Sequence, residues 1–274
     1  MSLVNLDLPA ERVQLALDAD GVAVLTLNEP AQRNAMSDAM IEALAVARAA
    51  IDARDDVRVL VLTGAGACFS AGGSVQNMLE RRGMFSGNTA FEAGDCTRQI
   101  MQRIPQLLYD IAIPTIAAVN GPAVGGGCDA ALMCDIRLAS PKAAFSEAFL
   151  RVGLIPGDGG AWFLPRVVGV SRAMEMALTC ERVDADEALR IGLVSKVVPA
   201  DALLAEALAL ARRIAAQPPY AARLTKRLIR YGAQAGLADT LEMSANMQAQ
   251  ALMSAEHREA VRVLHEALQT RARP

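Results

Sequence analysis

The segment most informative about the fold is Gly121-Pro-Ala-Val-Gly-Gly-Gly-Cys-Asp-Ala-Ala-Leu-Met-Cys-Asp135. It follows a short apolar run at 115–119, which predicts a buried strand, and it leads into small residues that favour a helix. Successive glycines at the start of a helix leave backbone N–H groups uncovered, and the helix dipole favours negative charge at that end. Because Asp129 lies in the same stretch, the segment offers both donors for an anion and a candidate proton carrier.

A second glycine-rich loop occupies residues 64–73 and, like the 121–127 loop, stands between a predicted strand and a predicted helix. Two such loops can present a pair of backbone donors that converge on one oxygen, as in an oxyanion hole. Tight turns and close helix packing explain the same glycines equally well, so the pattern alone leaves both interpretations open. A dinucleotide fingerprint is disfavoured because Phe69 stands where its third glycine belongs, and the Gly-Lys-Ser/Thr of a P-loop does not occur.

The composition limits the class of protein. A chain of 274 residues that is 53% hydrophobic can bury a large core. Its net charge of −3 and lack of basic runs predict no nucleic-acid partner. We find no long apolar span and, in residues 1–7, no signal-peptide pattern, so we expect a cytoplasmic protein that does not bind membranes.

Histidine and cysteine usage restricts the chemistry further. His257 and His265, the two histidines of the chain, both lie in its last charged segment. Acid–base chemistry in the glycine-rich core must therefore fall to carboxylates, Lys, Tyr or Cys. The five cysteines are odd in number and form no CxxC, so we expect neither a disulfide framework nor a metal site.

Strand-like and helix-like segments alternate along the chain, which predicts an α/β fold. We expect a strand-and-helix core in residues 1–199 and a helical region in residues 200–274, with a turn-rich segment at 83–90. The predicted strands are 13–18, 22–27, 57–63, 115–119, 135–140 and 193–198. The predicted helices are 37–53, one that begins near 74, 91–109, 161–168, 171–179, 184–191, 200–216, 219–233, 237–252 and 256–271.

Motifs spread over nearly the whole chain share their order and spacing with a known family. They are Arg33-Asn-Ala-Met36, Cys68-Phe-Ser-Ala-Gly-Gly73, the segment 118–136, the segment 145–160, Leu164-Pro-Arg166 and the segment 192–198. In these motifs the chain resembles the crotonase, or enoyl-CoA hydratase/isomerase, superfamily.

The resemblance implies a crotonase-like spiral of ββα turns with a C-terminal helical region that builds homotrimers, often paired into hexamers. It implies an acyl-CoA thioester as the substrate, with coenzyme A as part of that substrate and no separate cofactor. The backbone N–H groups of Gly73 and Gly126 match the family's oxyanion donors.

The resemblance also implies where coenzyme A binds. The loop that holds Gln32, Arg33 and Ala35, together with Ala71, matches the CoA-binding segment of the family. The nucleotide phosphates are expected to meet Arg33 or a basic side chain of the C-terminal helices, for which Lys226 is a candidate. A solvated helix face is the alternative explanation for Lys226.

The catalytic carboxylates are where the chain departs from the family. Hydratases of the family use two glutamates, and the matching positions here hold Asp129 and Phe149. An aspartate reaches about 1.5 Å less far than a glutamate, and a phenylalanine carries no proton. Isomerisation of a double bond needs a single base, whereas hydration needs two groups. The residues therefore favour isomerisation, although hydration is the more common activity in the family.

Two further acids are candidates for proton transfer. Asp158 lies one residue beyond the position where several isomerases of the family carry a catalytic aspartate, and its alternative role is to cap the next helix. Glu147 shares a face with Phe149 if the segment is extended, and its alternative role is an ion pair. Asp129 can instead serve as a dipole partner in the first turn of its helix.

Apolar candidates for an acyl pocket are Phe149, Trp162 and Met78, although for any one of them plain core packing is the simpler account. Two other functions stay open at this point. The loss of the second glutamate allows a protein that binds CoA thioesters without catalysis. An NAD-dependent reductase is the other, and Phe69 disfavours it.

Overall fold

Residues 3–271, which a computed structural model describes, form two β-sheets flanked by helices. The strands are β1 (Val4–Leu6), β2 (Val13–Leu17), β3 (Val22–Leu27), β4 (Val59–Gly64), β5 (Thr115–Val119), β6 (Pro122–Val124), β7 (Ile136–Ala139), β8 (Ala144–Ser146), β9 (Val183–Asp184) and β10 (Lys196–Val197). The α-helices are α1 (Asp38–Asp52), α2 (Val75–Glu80), α3 (Ala90–Cys96), α4 (Arg103–Leu108), α5 (Gly126–Leu132), α6 (Gly160–Val168), α7 (Val170–Thr179), α8 (Ala185–Arg190), α9 (Leu203–Ala215), α10 (Pro219–Gly232), α11 (Leu237–Met253) and α12 (Ala255–Arg271). Short 3-10 helices cover Pro30–Gln32, Gly83–Phe85 and Ala148–Val152, and a π-helix covers Thr97–Met101.

The larger sheet has seven strands in the order β1-β2-β3-β4-β5-β7-β10. Its first three strands are antiparallel, and the strands from β3 to β10 are parallel. The Asp20-Gly21 turn, in which Gly21 has a φ of 81°, joins β2 and β3 into an antiparallel hairpin, as an Asp-Gly pair between two apolar strands favours. A smaller sheet of three strands has the order β6-β8-β9. The α/β class predicted from the alternating segments is therefore confirmed.

Helix α9 covers one face of the larger sheet. Its buried residues Leu203, Ala207, Ala211 and Ala215 are four apart and pack against strand residues such as Val61. Three of the four are alanines, and their small side chains let the helix backbone approach the sheet closely. Because α9 packs on the sheet, it belongs structurally with the strand-and-helix core. The predicted boundary at residue 200 places it in the helical region instead. The two predicted regions also include residues 1–2 and 272–274, which lie outside the described residues.

Two predicted elements are wrong in extent. The helix predicted at 91–109 is divided into α3, the π-helix and α4. Pro105 lies in the first turn of α4, where it has no N–H to donate to the preceding turn. The strand predicted at 193–198 shortens to Lys196–Val197 because the N–H of Val194 bonds instead to the carbonyl of Ala188 in α8.

Polar bonds hold α10 on the core. The ammonium of Lys226 lies 2.8 Å from Asp135 Oδ2 and 2.7 Å from the carbonyl oxygen of Ile113. Arg230 bonds to Asp135 Oδ1 at 2.6 Å, and its guanidinium lies 3.7 Å from the centre of the Tyr109 ring. The side chain of Lys226 is only 8% exposed, so the solvated helix face is wrong. This placement also argues against Lys226 as a phosphate ligand, because its donors serve the protein's own oxygens.

All five cysteines are free, and four of them are buried as small core residues. No helix within residues 3–271 combines the length and the apolar character needed to cross a membrane.

Replacing Lys226 with methionine tests its structural role. We expect Lys226→Met to lower the free energy of unfolding by about 2 kcal/mol, because Asp135 and the Ile113 carbonyl lose a buried charged donor. Lys196→Met is the matched control, since Lys196 pairs with Glu206 at the exposed surface. Urea titration measures both, and equal stability of the two variants would contradict the assignment.

Candidate active site

The two glycine-rich loops meet at one edge of the larger sheet. Strands β4 and β5 are parallel neighbours, so the loops that follow them leave the sheet at the same end. Ser70 pairs with Ala123 as an isolated parallel bridge, and the N–H of Val124 donates to the Ser70 carbonyl at 3.0 Å. Gly72 has a φ of 75°, and a Cβ built on it would lie 3.1 Å from the backbone nitrogen of Gly126. Only glycine fits this approach.

The backbone N–H groups of Gly73 and Gly126 lie in these adjacent loops. Neither donates a hydrogen bond to any group in the part of the chain that the structure describes. Gly126 is the first residue of α5, and the first amides of a helix have no intrahelical acceptor. The preceding residue, Gly125, turns the chain with a φ of 50° and donates to the Ser146 carbonyl at 2.8 Å. Two unpaired donors in adjacent loops are the arrangement that oxyanion binding requires.

The loop expected to bind coenzyme A lies against the 64–73 loop. Gln32 and Arg33 are exposed, whereas Ala35 is buried. Arg33 adopts a left-handed conformation with a φ of 53°, and its carbonyl accepts from the N–H of Ala71 at 2.9 Å. The structure thus brings all four predicted residues together, and their contact with coenzyme A stays a prediction.

Asn34 fixes this contact between the loops and was not singled out by sequence reasoning. Its side chain is fully buried, and its amide donates to carbonyl oxygens of the 64–73 loop. In return, the hydroxyl of Ser70 donates to the Asn34 carbonyl at 2.8 Å. An asparagine in a polar loop gives no sequence signal of such a role, because its acceptors come from a distant segment.

Apolar side chains lie beside both donors. A Cβ built on Gly73 would lie 2.7 Å from Met78 Cε and 3.0 Å from Phe85 Cζ, and one built on Gly125 would lie 3.7 Å from the Phe149 ring. Met78 and Phe149 therefore lie where a pocket wall was predicted, and Phe85 joins them. Phe149 belongs to a 3-10 helix rather than to the extended segment that the sequence suggested.

Trp162 packs elsewhere, in an aromatic cluster. Its ring makes edge contacts with Tyr109 at 5.6 Å and with Phe163 at 4.9 Å between centroids. The guanidinium of Arg166 lies 4.0 Å from the centre of the same ring. These contacts favour core packing over the predicted pocket role of Trp162.

Asp129, Glu147 and Asp158 form a cluster of buried carboxyl groups, with side chains exposed by 0%, 2% and 3%. Both oxygens of Asp129 and of Glu147, and Oδ1 of Asp158, lack a hydrogen-bond partner among the described residues. The expected ion pair of Glu147 is therefore wrong. The expected capping role of Asp158 is also wrong, because Gly159 is the N-cap of α6 and no side chain caps it.

Asp158 is the member of this cluster that lies beside Gly126, one of the two residues with an unpaired amide. A Cβ built on Gly126 would lie 2.7 Å from Asp158 Oδ2, whereas one built on Gly160 would collide with both oxygens of Asp129. The Asp129 carboxyl is thus enclosed beneath α6, and Asp158 Oδ2 lies beside the first residue of α5.

Burial dominates the electrostatics of these groups. It raises the pKa of Asp129 well above its usual range, and the neighbouring charges of Asp158 and Glu147 raise it further. Burial raises the pKa of Glu147 to about 7 and raises that of Asp158, while the neighbouring Asp129 carboxyl opposes both shifts. In all three groups, burial therefore disfavours the ionised form.

Comparisons with known proteins agree with one another. A family described as enoyl-CoA hydratase/isomerase matches residues 18–271. A probable enoyl-CoA hydratase of Rhodobacter capsulatus is 36% identical over 90% of this chain and 93% of its own length. The 1,2-epoxyphenylacetyl-CoA isomerase of Escherichia coli is 36% identical over 88% of this chain and 90% of its own. The solved structure of an enoyl-CoA hydratase from Bacillus anthracis superposes with a TM-score of 0.86 at 31% identity, covering 93% of this chain and 96% of that one.

The raised pKa of Glu147 predicts a stability that depends on pH. A carboxyl whose pKa rises from 4.5 to about 7 on folding stabilises the protein below pH 4.5, and this contribution is lost as the pH rises through 7. We expect Glu147→Gln to remove the loss, which amounts to about 3 kcal/mol at most.

Urea titrations between about pH 5 and pH 8 measure this difference. The control is Glu259→Gln, because Arg262 lowers the pKa of that exposed carboxyl and keeps it ionised throughout. Parallel pH profiles of the wild type and Glu147→Gln would show that Glu147 does not titrate in this range.

Proposed function

This chain belongs to the enoyl-CoA hydratase/isomerase family of the crotonase superfamily, and we infer from its site that it isomerises unsaturated acyl-CoA thioesters. The observation that carries this proposal is the placement of one carboxyl oxygen, Asp158 Oδ2, beside the oxyanion donor Gly126. The second glutamate position of the hydratases holds Phe149, whose ring packs on Gly125. A single base beside a pair of amide donors suits a proton shift better than the addition of water.

The proposed reaction moves one proton. The thioester carbonyl accepts hydrogen bonds from the N–H groups of Gly73 and Gly126. The Asp158 carboxylate removes a proton from the acyl chain, and the electron pair of the broken C–H bond passes through the conjugated chain to the carbonyl oxygen. The resulting dienolate is stabilised by the two amides, each worth about a hundredfold in rate. Asp158 then returns the proton two carbons away, and the double bond has shifted.

The apolar side chains support this step. Met78 and Phe85 beside Gly73, and Phe149 beside Gly125, give the space next to the donors apolar walls. Surroundings of low polarity strengthen the interaction of the amides with the developing negative charge. Apolar side chains also cannot activate the water that hydration would consume.

Hydration of a 2-enoyl-CoA is the second candidate, because relatives of this chain carry the name enoyl-CoA hydratase. It requires one group to activate water and another to protonate the acyl chain. Asp129 stands at the first of the hydratase glutamate positions but is fully buried beneath Gly160. This enclosure favours isomerisation over hydration.

We also propose that the chain assembles into homotrimers or hexamers, and that the exposed loop of Gln32 and Arg33 binds coenzyme A. Exposed apolar side chains on the last helices support the assembly, since another copy of the chain can cover them. They include Leu237 at 76%, Leu241 at 60%, Met253 at 77% and Leu264 at 60% exposure.

Incubation of a panel of acyl-CoA thioesters in D₂O, read by mass spectrometry and NMR, tests the proposed reaction. Isomerisation predicts deuterium in the acyl chain and a shifted double bond, without the mass of added water. Addition of water would establish hydration instead. Binding of the thioesters without either change would show a protein that binds them without catalysis.

Asp158→Asn identifies the base in the same assay. We expect it to lower kcat by about a hundredfold or more, because the amide cannot accept the acyl proton. Asp201→Asn, at an exposed position, is the matched control and keeps full activity. Full activity of Asp158→Asn would place the base elsewhere.

A further inference from the structure

We propose that Asp129 does not carry the substrate proton but is a neutral hydrogen-bond donor, shared between Asp158 and Glu147, that positions Asp158 as the base. The proposal rests on the proposed function and departs from the hydratase pattern, in which this sequence position holds a catalytic carboxylate. It is argued from the enclosure of Asp129 and from the hydrogen-bonding needs of the cluster.

Asp129 is fully buried beneath the first residue of α6. Its side chain is 0% exposed, and the Cα of Gly160 packs directly against its carboxyl group. Asp158 differs, because only its Oδ1 is fully buried without a hydrogen-bond partner. Its Oδ2 lies beside Gly126. A substrate held by the Gly126 amide therefore meets Asp158 first, with Asp129 behind it.

The cluster cannot satisfy its own oxygens without a proton. Ionised carboxylates only accept hydrogen bonds, so three of them in mutual contact would repel and leave every oxygen unpaired. No Lys or Arg of the described residues forms an ion pair with any of the three, since the oxygens in question are unpartnered. The thiol of Cys128 lies near Glu147 but forms no hydrogen bond with it. Arg137, which acts on Cys128 from β7, gives its own hydrogen bonds to the carbonyls of Leu193 and Cys134.

Asp129 is the member best placed to hold that proton. Asp158 and Glu147 are both its close neighbours, so one O–H on Asp129 can turn to either of them. In keeping with this, burial raises the pKa of Asp129 well above that of an ordinary carboxyl; burial also raises the pKa of Glu147 and of Asp158, but the neighbouring Asp129 opposes that rise. Asp158 is then ionised and ready to accept a proton.

A hydrogen-bond donor shared in this way suits a base that first accepts the acyl proton and then returns it. In the resting enzyme the Asp129 O–H donates to the Asp158 carboxylate. When Asp158 has accepted the acyl proton, the Asp129 O–H turns to Glu147, which keeps its negative charge. When Asp158 gives the proton back, the first hydrogen bond re-forms. No proton leaves the cluster, and only hydrogen bonds change partners in this exchange.

Infrared spectroscopy of the substrate-free enzyme tests where the proton lies, because the C=O stretch of a protonated carboxyl is separate from the carboxylate bands. At pH 8 we expect this band in the wild type and in Glu147→Gln, and its loss in Asp129→Asn. Absence of the band in the wild type, or its persistence in Asp129→Asn, would overturn the proposal. The readout needs no turnover, so it stands even if the proposed isomerase activity fails.

Kinetics separate a positioning role from a catalytic one. We expect Asp129→Ala to lower kcat/KM by about tenfold to a hundredfold. The acidic limb of the pH profile should move up by about one pH unit, because Asp158 loses a hydrogen bond to its ionised form. Asp129→Asn keeps a neutral donor of the same shape and should restore activity to within about threefold of the wild type and return the acidic limb to its place. If Asp129→Asn were as inactive as Asp158→Asn, Asp129 would carry the substrate proton and the proposal would be wrong.

Discussion

The close approach of the Ser70–Gly73 loop to the start of α5 is the contact on which the rest of the site depends. It exists because β4 and β5 are parallel neighbours, and because glycines at 72 and 127 leave room where any Cβ would collide with the facing backbone. The buried Asn34 holds one side of this contact, because its side-chain amide donates to carbonyl oxygens of the 64–73 loop. Two backbone donors without partners result, which is the arrangement that oxyanion binding requires.

The carboxyl cluster follows from the same geometry. Helix α5 begins at the contact and carries Asp129 into the interior, while the segment before α6 brings Asp158 beside Gly126. Burying these groups with Glu147 costs free energy, because like charges without counter-ions disfavour ionisation. A proton retained on Asp129, as proposed above, would offset part of this cost. The combination of Asp129, Asp158 and Phe149 is the basis of the proposal that the site moves a proton rather than adds water.

Much of this arrangement could be predicted from sequence, where the signal was local. The glycine loops, the Asp-Gly hairpin and the acids at 129, 147 and 158 all stand in short recognisable patterns. The predictions failed where distant segments decide the outcome. Strand β6 forms only because β8 and Ser70 pair with it, Lys226 faces Asp135 rather than solvent, and Trp162 joins Tyr109 instead of the pocket wall. The residues of each pair lie far apart along the chain, so the periodicity of the sequence gives no signal of their contact.

The central claim is that the amides of Gly73 and Gly126 hold a thioester oxygen while Asp158 faces the acyl chain. A crystal structure with a bound, unreactive acyl-CoA analogue tests it most directly. The account predicts the thioester oxygen within about 2.7–3.1 Å of both amide nitrogens, with Asp158 Oδ2 the nearest carboxyl oxygen to the acyl carbons. A thioester oxygen away from these amides, or an acyl chain that lies against Asp129 and not Asp158, would contradict it.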